Sequence, residues 1–441
     1  MAADSCTMAS VFSQETEQVE HLSSDPVVER RGLRAEGTAR MIGGSLVGAL
    51  AAYLFVVVGG RTLGTVAFAP IALLWTVFFI VATVVLVPLE QFVTREASRG
   101  RRVLEADRRA VTSVILVTAA AFAGFVAITN DALFEGNPIF IVQGFVLVAL
   151  FGMMQIGKGI LAGHRRFAAY GLILSLEGAF RLFAAIVLLW LVPSAAALGW
   201  AMVCAPLCVL VLRPWRYDRT TDPNVAATGA VGFLGSYVAG SAASQLLLGG
   251  GPLGVVVLGG DAALRSVIFT TFTLYRAPLT LIYNLQGRVL SFLVRSDGSG
   301  ADIGRMITRI AVSGLALAAV AGAAGWVVGP GIVELLFGAD FRPEAAIAAL
   351  VAAGVIVAST TQIVSQALVA AGSTGQLAGA WIAGLTAGIA AMLLAGGGPG
   401  FRVGVGFLVG ELVAFSFALI RAVRRQRRHG EMRVLTPEAN R

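Results

Sequence analysis

The sequence predicts an all-α integral membrane protein of about twelve transmembrane helices, grouped as two like-oriented lobes of six. Composition is the first reason. Of 441 residues, 57% are hydrophobic and only 13% charged, about half the charged share of a soluble domain. A mean hydropathy of +0.82 leaves too little polar surface to keep a chain of this length in water. The second reason is a succession of apolar runs long enough to cross about 30 Å of hydrocarbon. The third is arginine, which concentrates in alternate loops.

Residues 1–37 are polar and acid-rich, with Glu15, Glu17, Glu20, Asp25 and Glu29 ahead of Arg30, Arg31 and Arg34. They read as a disordered cytoplasmic tail. No basic segment opens the chain and no apolar run starts before about residue 41, so no cleaved signal peptide is expected. Spans then follow at 40–59, 67–89, 110–129, 138–162, 168–191 and 195–213, forming an N-terminal lobe, 38–216. The polar sequence RPWRYDRTTDPN at 213–224 leads into a cytoplasmic linker, 217–228. A C-terminal lobe, 229–426, holds spans at 229–249, 263–287, 306–328, 344–371, 375–396 and 402–422, and a cytoplasmic tail, 427–441, closes the chain. The stretch 250–262 is too rich in glycine to place.

Arginine placement supports an even number of spans. Arg95, Arg99, Arg101, Arg102, Arg108 and Arg109 lie between the second and third spans, and His164, Arg165 and Arg166 follow the fourth. Arg213, Arg216 and Arg219 follow the sixth, Arg288, Arg295, Arg305 and Arg309 surround the loop after the eighth, and Arg421, Arg424, Arg425, Arg427 and Arg428 close the twelfth. The alternate loops NDALFEGNP at 130–138 and VPSAAA at 192–197 carry no base. Positive residues stay inside, so both termini are expected in the cytoplasm, in a plasma-membrane protein. Six spans per half give the halves one orientation. Weak internal similarity agrees: Leu63-Gly64 follows the first span and Leu253-Gly254 the seventh, while QIGKGILAG at 155–163 matches QIVSQALVA at 362–370. The 53 glycines include small-residue steps such as Ala380, Gly384 and Gly388, which let helices approach closely in lipid.

Ionisable side chains within the spans are the candidates for function, because each costs about 2.5–3.5 kcal/mol to insert. Arg276 sits near the middle of the eighth span, where Thr273, Arg276, Thr280 and Asn284 recur at helical spacing as one polar stripe and Pro278 frees a backbone carbonyl. The competing reading is an arginine that merely holds the bundle through a carboxylate on another helix. Glu177 and Arg181 are four apart in the order that favours an intrahelical pair, as compatible with a structural as with a functional role. Glu411, deep in the last span, is either a proton carrier or the partner of a distant arginine. Lys158, the sole lysine, lies near the cytoplasmic end of the fourth span, where it either snorkels to the interface or meets substrate.

Other chemistry has no footing. The sequence holds no GxSxG, no P-loop, no HExxH and no dinucleotide-binding unit, so no enzyme activity and no cofactor is expected. Cys6, Cys204 and Cys208 form no disulfide framework, and no HxxxH or CxxC spacing offers a metal site. The net charge of +8 is explained by topology and by contact with anionic lipid rather than by nucleic acid.

Several phrases, taken in order, resemble one family. They are RTLGTVAFAPIALLW at 61–75, GILAGHRRFAAYG at 159–171, IVELLFGADFRPEAAIAAL at 332–350 and QALVAAGSTGQ at 366–376. Together with the six-plus-six pattern they resemble the multidrug/oligosaccharidyl-lipid/polysaccharide exporter superfamily over about residues 38–424, specifically its polysaccharide-biosynthesis (O-antigen-type) flippases. The resemblance implies two lobes around a central lumen, working by alternating access on a lipid-linked oligosaccharide. A polyprenyl-diphosphate head would need fixed cations, expected in the order Arg276, Arg181, Lys158, with Glu177, Thr280 and Asn284 also in the lumen. Gln155, Gln245, Gln362 and Gln366 would hydrate a path for the sugars. H⁺, Na⁺ or the membrane potential would drive transport, with Glu411 and Glu177 the ion-coupling candidates. The partners implied are the bilayer, the glycan lipid and proteins of cell-envelope biosynthesis.

The nearest rival is a cation-coupled drug antiporter of the same superfamily. Such exporters usually carry a carboxylate in the first or seventh helix, whereas 40–59 and 229–249 contain neither Asp nor Glu. A peptidoglycan-precursor flippase would show two further helices. A major facilitator transporter is echoed only by SRGRRVL at 98–104, with Ser98 where an Asp belongs, and a membrane glycosyltransferase would need acids in an early external loop that offers only Arg61.

Overall fold

The computed structural model describes residues 26–102, 108–218, 230–277, 279, 300–370 and 374–435. Among them the chain is all helical. A single helical run, Pro26–Val81, is broken at Gly64 into two spans, α1 (26–63) and α2, which continues through a π-helical stretch, Ala82–Leu86, and Val87–Ser98. Gly64 has φ 73° and ψ 176°, a combination open essentially to glycine alone. It sets the turn between α1 and α2. The π-helical stretch ends two residues before Pro88, whose missing N–H would leave a gap in a regular α-helical ladder.

The remaining N-terminal spans are α3 (Arg108–Ile128), α4 (Ile139–Gly163), α5 (Phe167–Leu191) and α6 (Ala195–Tyr217). The C-terminal half holds α7 (Ala230–Gly249, bent by 76° into Gly251–Val257), α8 (Ala262–Tyr275), α9 (Gly300–Phe337), α10 (Ala345–Ala370), α11 (Thr374–Leu394) and α12 (Pro399–Leu435). Of the described helices, nine are long and apolar enough to cross a membrane, or ten with the bent α7. Dividing the first run at Gly64 and adding the shorter described part of α8 completes the twelve.

Within the first lobe α1 packs on α5, and α4 on α2 and α3; within the second α9 packs on α10, α11 on α12 and on α7. Small residues make these contacts close. A Cβ on Gly44 would overlap the Gly171 carbonyl oxygen, so α1 and α5 touch backbone to backbone. The predicted α11 steps do the same: Gly384 faces the Gly410 carbonyl and Gly388 the Gly406 carbonyl, at 2.7 and 2.8 Å from their would-be Cβ atoms. Helices gain little from apolar burial in lipid, so this van der Waals contact carries the packing. Contact between the lobes runs through α8, which lies against the α1–α2 run, and through α7 against the π-helical stretch.

Several expectations are revised. The described chain is helical from Pro26, so residues 26–37 of the expected disordered tail are part of a helix. At the other end α12 runs on to Leu435. The glycine-rich 250–262 stretch is the second, bent half of α7 followed by a turn at Gly259. Gly64 and Gly254 are not equivalent: one is the turn after α1, the other lies inside the bent helix against Val403 and Met392. Residues 219–228 of the expected linker lie outside the described residues.

Candidate functional site

Where the lobes meet, α1, α2, α7 and α8 line a cavity of about 350 Å³. Tyr53 and Val56 of α1 and Trp75, Thr76 and Phe79 of α2 form its first wall; Phe269, Phe272, Thr273 and Arg276 of α8 form the other. The bend in α7 supplies Gly249 and Pro252. Tyr53 Oη donates to the Thr273 carbonyl at 2.9 Å, bridging the lobes inside the cavity. Thr76 Oγ1 donates to Ala72 of its own helix at 2.7 Å, so its polarity is turned inward.

Arg276 is the charged residue among the described lining residues. It caps α8, its N–H donating to the Phe272 carbonyl at 3.1 Å, and its guanidinium lies 5.2 Å from the centre of the Phe79 ring. A Cβ on Gly249 would stand 3.4 Å from Arg276 Nη1, so the bare backbone at the α7 bend makes room for the guanidinium. Chemically this is a concave, aromatic-walled space with one planar cation. It can hold an anion by paired N–H donors while rings cover an attached apolar or sugar surface.

The other predicted cations lie behind this wall. Arg181 pairs with Glu177 as expected from their spacing, and its guanidinium stacks 4.8 Å from the Trp75 ring. Lys158 neither snorkels nor lines the cavity: it is buried in the first lobe, 2.9 Å from Glu90 Oε2, and donates to Gln155 Oε1 at 2.8 Å. Tyr170 Oη donates to Glu90 Oε1 at 2.7 Å, closing the group. Sequence reasoning missed Glu90 because it falls one residue beyond the second expected span. The signal was the position of Lys158 itself, since a buried ammonium requires a carboxylate on a neighbouring helix.

Gln245 is buried one turn before the α7 bend, and Gln366 is buried in α10 beside the half-buried Gln362; none of the three is among the described cavity-lining residues. Thr280 and Asn284 lie outside the described residues. Glu411 is fully buried in α12, and neither of its oxygens has a hydrogen-bond partner among the described residues. The same residues contain no cluster of metal ligands.

At the end remote from the arginine-rich loops the lobes are sealed. Phe68 of α2 meets Phe269 of α8 and Phe341 after α9, at ring distances of 5.9 and 6.3 Å. Ser266 Oγ donates to the Thr65 carbonyl at 2.6 Å, and Arg265 to the Ala132 carbonyl at 3.2 Å. Arg61, at the end of α1, crosses to the other lobe and donates to the carbonyls of Leu335 and Leu336, in the last turn of α9. Two more arginines at this face meet helix ends within their own lobe: Arg265 donates to Gly260 after α7, and Arg402 to Met392 and Leu393 of α11. Each places a cation at the negative end of a helix dipole. Arg61 reaches the α9 end from the opposite lobe, and Arg265 also crosses, to the Ala132 carbonyl, whereas Arg402 stays within its own lobe.

No family model matches the chain. Proteins of Mycobacterium tuberculosis and Mycobacterium bovis, described only as uncharacterized, are 25% identical to it over 407 residues, covering 89% of this chain and 94% of theirs. Among solved structures, a multidrug resistance MATE family transporter of the MOP superfamily in its inward-facing conformation superposes with a TM-score of 0.61 at 13% identity, over 89% of this chain and 99% of that one. The outward-facing conformation of such a transporter gives 0.58 at 13% identity, over 90% and 97%. A MOP superfamily transporter from Pyrococcus furiosus, whose binding pocket is described as having reverse polarity, gives 0.61 at 13% identity, over 89% and 96%. The chain thus has the fold of the MATE transporters of the MOP superfamily, two six-helix lobes on either side of a central cavity.

Proposed function

We propose that this protein is an alternating-access exporter of the plasma membrane that turns a lipid-linked oligosaccharide, a polyprenyl-diphosphate glycan, from the inner to the outer leaflet. The observation that carries the reading is the sign of the cavity: its charged lining residue, among those described, is Arg276. A cationic drug would meet repulsion there, and an anionic head group meets donors. The aromatic walls suit sugar faces, and a polyprenyl tail has no need of the cavity because it is at home in lipid. Both termini lie in the cytoplasm on the arginine reading, so the sealed face is the outer one. The structure then corresponds to the state that loads substrate from inside.

The fold supports a drug antiporter as well, since structural neighbours are described as multidrug resistance transporters. The buried Glu411 carboxylate is the feature that favours it. The Pyrococcus furiosus transporter is described as having a binding pocket whose reverse polarity suggests a different function, which supports taking cavity charge as a guide to the substrate. The test is thermal stabilisation of the purified protein. An undecaprenyl-diphosphate oligosaccharide raises the unfolding midpoint and ethidium does not; the reverse pattern would favour the antiporter.

A further inference from the structure

The hydrogen bonds described between the lobes share one form: a side chain of one lobe donates to a main-chain carbonyl of the other. Ser266 reaches Thr65, Arg265 reaches Ala132, and Arg61 reaches Leu335 and Leu336, all at the sealed face. Tyr53 is the fourth such donor, its Oη 2.9 Å from the Thr273 carbonyl oxygen. It differs in place. Tyr53 and Thr273 are both among the described cavity-lining residues, and neither end of the other three bridges is. Phe269 and Thr273 are four apart on α8, so this bridge stands one helical turn inward of the ring contact between Phe68 and Phe269.

Local chemistry explains the pair. Thr273 lies in the last turn of the described α8, which Arg276 caps, and the last carbonyls of a helix need donors from outside it. The Tyr53 phenol, arriving from α1, is one such donor. It carries a single hydrogen and so donates to one acceptor at a time. Tyr53 is half-buried in the cavity wall, open to whatever fills the space. Thr273 and Arg276 are three apart and share a face of α8, so an anion held by the guanidinium comes up beside the phenol. A charged acceptor makes a shorter hydrogen bond, roughly twice as strong as a neutral one, and the Thr273 carbonyl is neutral.

We propose that Tyr53 is a second ligand donor of the cavity and links its filling to release of the outer closure. This rests on Arg276 being the anion anchor of the cavity. An anion held at Arg276 takes the phenolic hydrogen bond, the Thr273 carbonyl passes to water, and the lobes lose the bridge beside the Phe68–Phe269 contact. No covalent bond changes and the phenol keeps its proton. An empty cavity retains the bridge and stays shut toward the outside; a filled one opens more readily. The closed state loses one neutral hydrogen bond in the exchange, about two- to tenfold in its ratio to the open state.

The test uses the full chain in detergent, with Cys6, Cys204 and Cys208 replaced by alanine. Spin labels at Asp131→Cys of the first lobe and Glu344→Cys of the second, both exposed near the sealed face, report lobe separation by pulsed electron resonance. Farnesyl diphosphate is the anionic probe and farnesol the neutral control, with binding followed by calorimetry. In this parent chain farnesyl diphosphate is expected to raise the open-to-closed ratio about two- to tenfold, and farnesol to leave it unchanged. Tyr53→Phe is expected to start from the raised ratio without ligand, to bind farnesyl diphosphate through Arg276, and to shift no further. Tyr53→Met also lacks the hydroxyl and serves if the Phe variant fails to fold. A probe-induced shift of full size in Tyr53→Phe, or binding by the parent chain with no shift, would overturn the proposal and leave the anion anchor standing. No binding by the parent chain, or equal binding by Arg276→Ala, would overturn the anchor and this proposal with it.

Discussion

Removing the Arg61 guanidinium is expected to loosen the outer closure by a measurable amount. In Arg61→Ala the last turn of α9 loses two charge-assisted donors to Leu335 and Leu336. A cation at an exposed helix C-terminus contributes about 0.3–1 kcal/mol, and a sheltered hydrogen bond to a charged group about 1.5–3 kcal/mol. Arg61 is exposed, so water replaces part of what is lost and the cost falls at about 1–2 kcal/mol, about 5–30-fold in the closed-to-open ratio. The Phe68, Phe269 and Phe341 contacts and the Ser266 hydrogen bond stay in place, so the closed state remains the major one. The assay is labelling of Thr273→Cys by a membrane-impermeant maleimide from outside, in a chain whose Cys6, Cys204 and Cys208 are replaced by alanine. Arg61→Ala is expected to accelerate labelling by about the same factor, with Arg61→Lys close to wild type. An unchanged rate in Arg61→Ala would show that the hydrogen bonds to α9 do not hold the gate.

Three further outcomes follow from the packing. Arg402→Ala removes the cation from the α11 end within one lobe, so it is expected to lower thermal stability by about 0.3–1 kcal/mol without changing outside labelling of Thr273→Cys; faster labelling would contradict the distinction drawn between the two arginines. Glu90→Gln leaves Lys158 buried without its carboxylate and is expected to cost about 3–5 kcal/mol, whereas Glu90→Gln with Lys158→Met is expected to recover much of it in a denaturation double-mutant cycle. Additive losses would mean the pair is not coupled. Gly44→Leu forces a side chain against the Gly171 backbone, with an expected loss of about 1–3 kcal/mol; an unchanged unfolding midpoint would show that the α1–α5 crossing is looser than described.

The fold was legible because membrane spans advertise themselves by length and apolarity, and small-residue steps such as Gly384 and Gly388 mark a seam whatever their partner. Breaks inside spans were less so. The turn at Gly64 depends on backbone geometry that glycine permits but does not announce, the bend at Gly250 has an ordinary backbone conformation that no residue type signals, and the helix from Pro26 extends through residues too polar for hydropathy to detect. The chemistry divides in the same way. Glu177 and Arg181 share one helix, so spacing alone pairs them. Lys158 and Glu90 lie on different helices, and only the packing of α2 on α4 brings them together. In the sequence Arg61 is simply the ionisable residue of an early external loop that has no acid. Its reason, the end of α9 some 275 residues later in the chain, is invisible until the lobes are placed together.

The central claim is that the cavity moves an anionic, lipid-linked glycan through Arg276. The direct measurement is flipping of a fluorescent polyprenyl-diphosphate oligosaccharide across proteoliposome membranes by wild type, Arg276→Lys and Arg276→Ala. The account predicts transport by wild type, partial transport by Arg276→Lys and collapse in Arg276→Ala. Wild-type vesicles that leave the glycan lipid in place while exchanging ethidium-type cations for protons would contradict it.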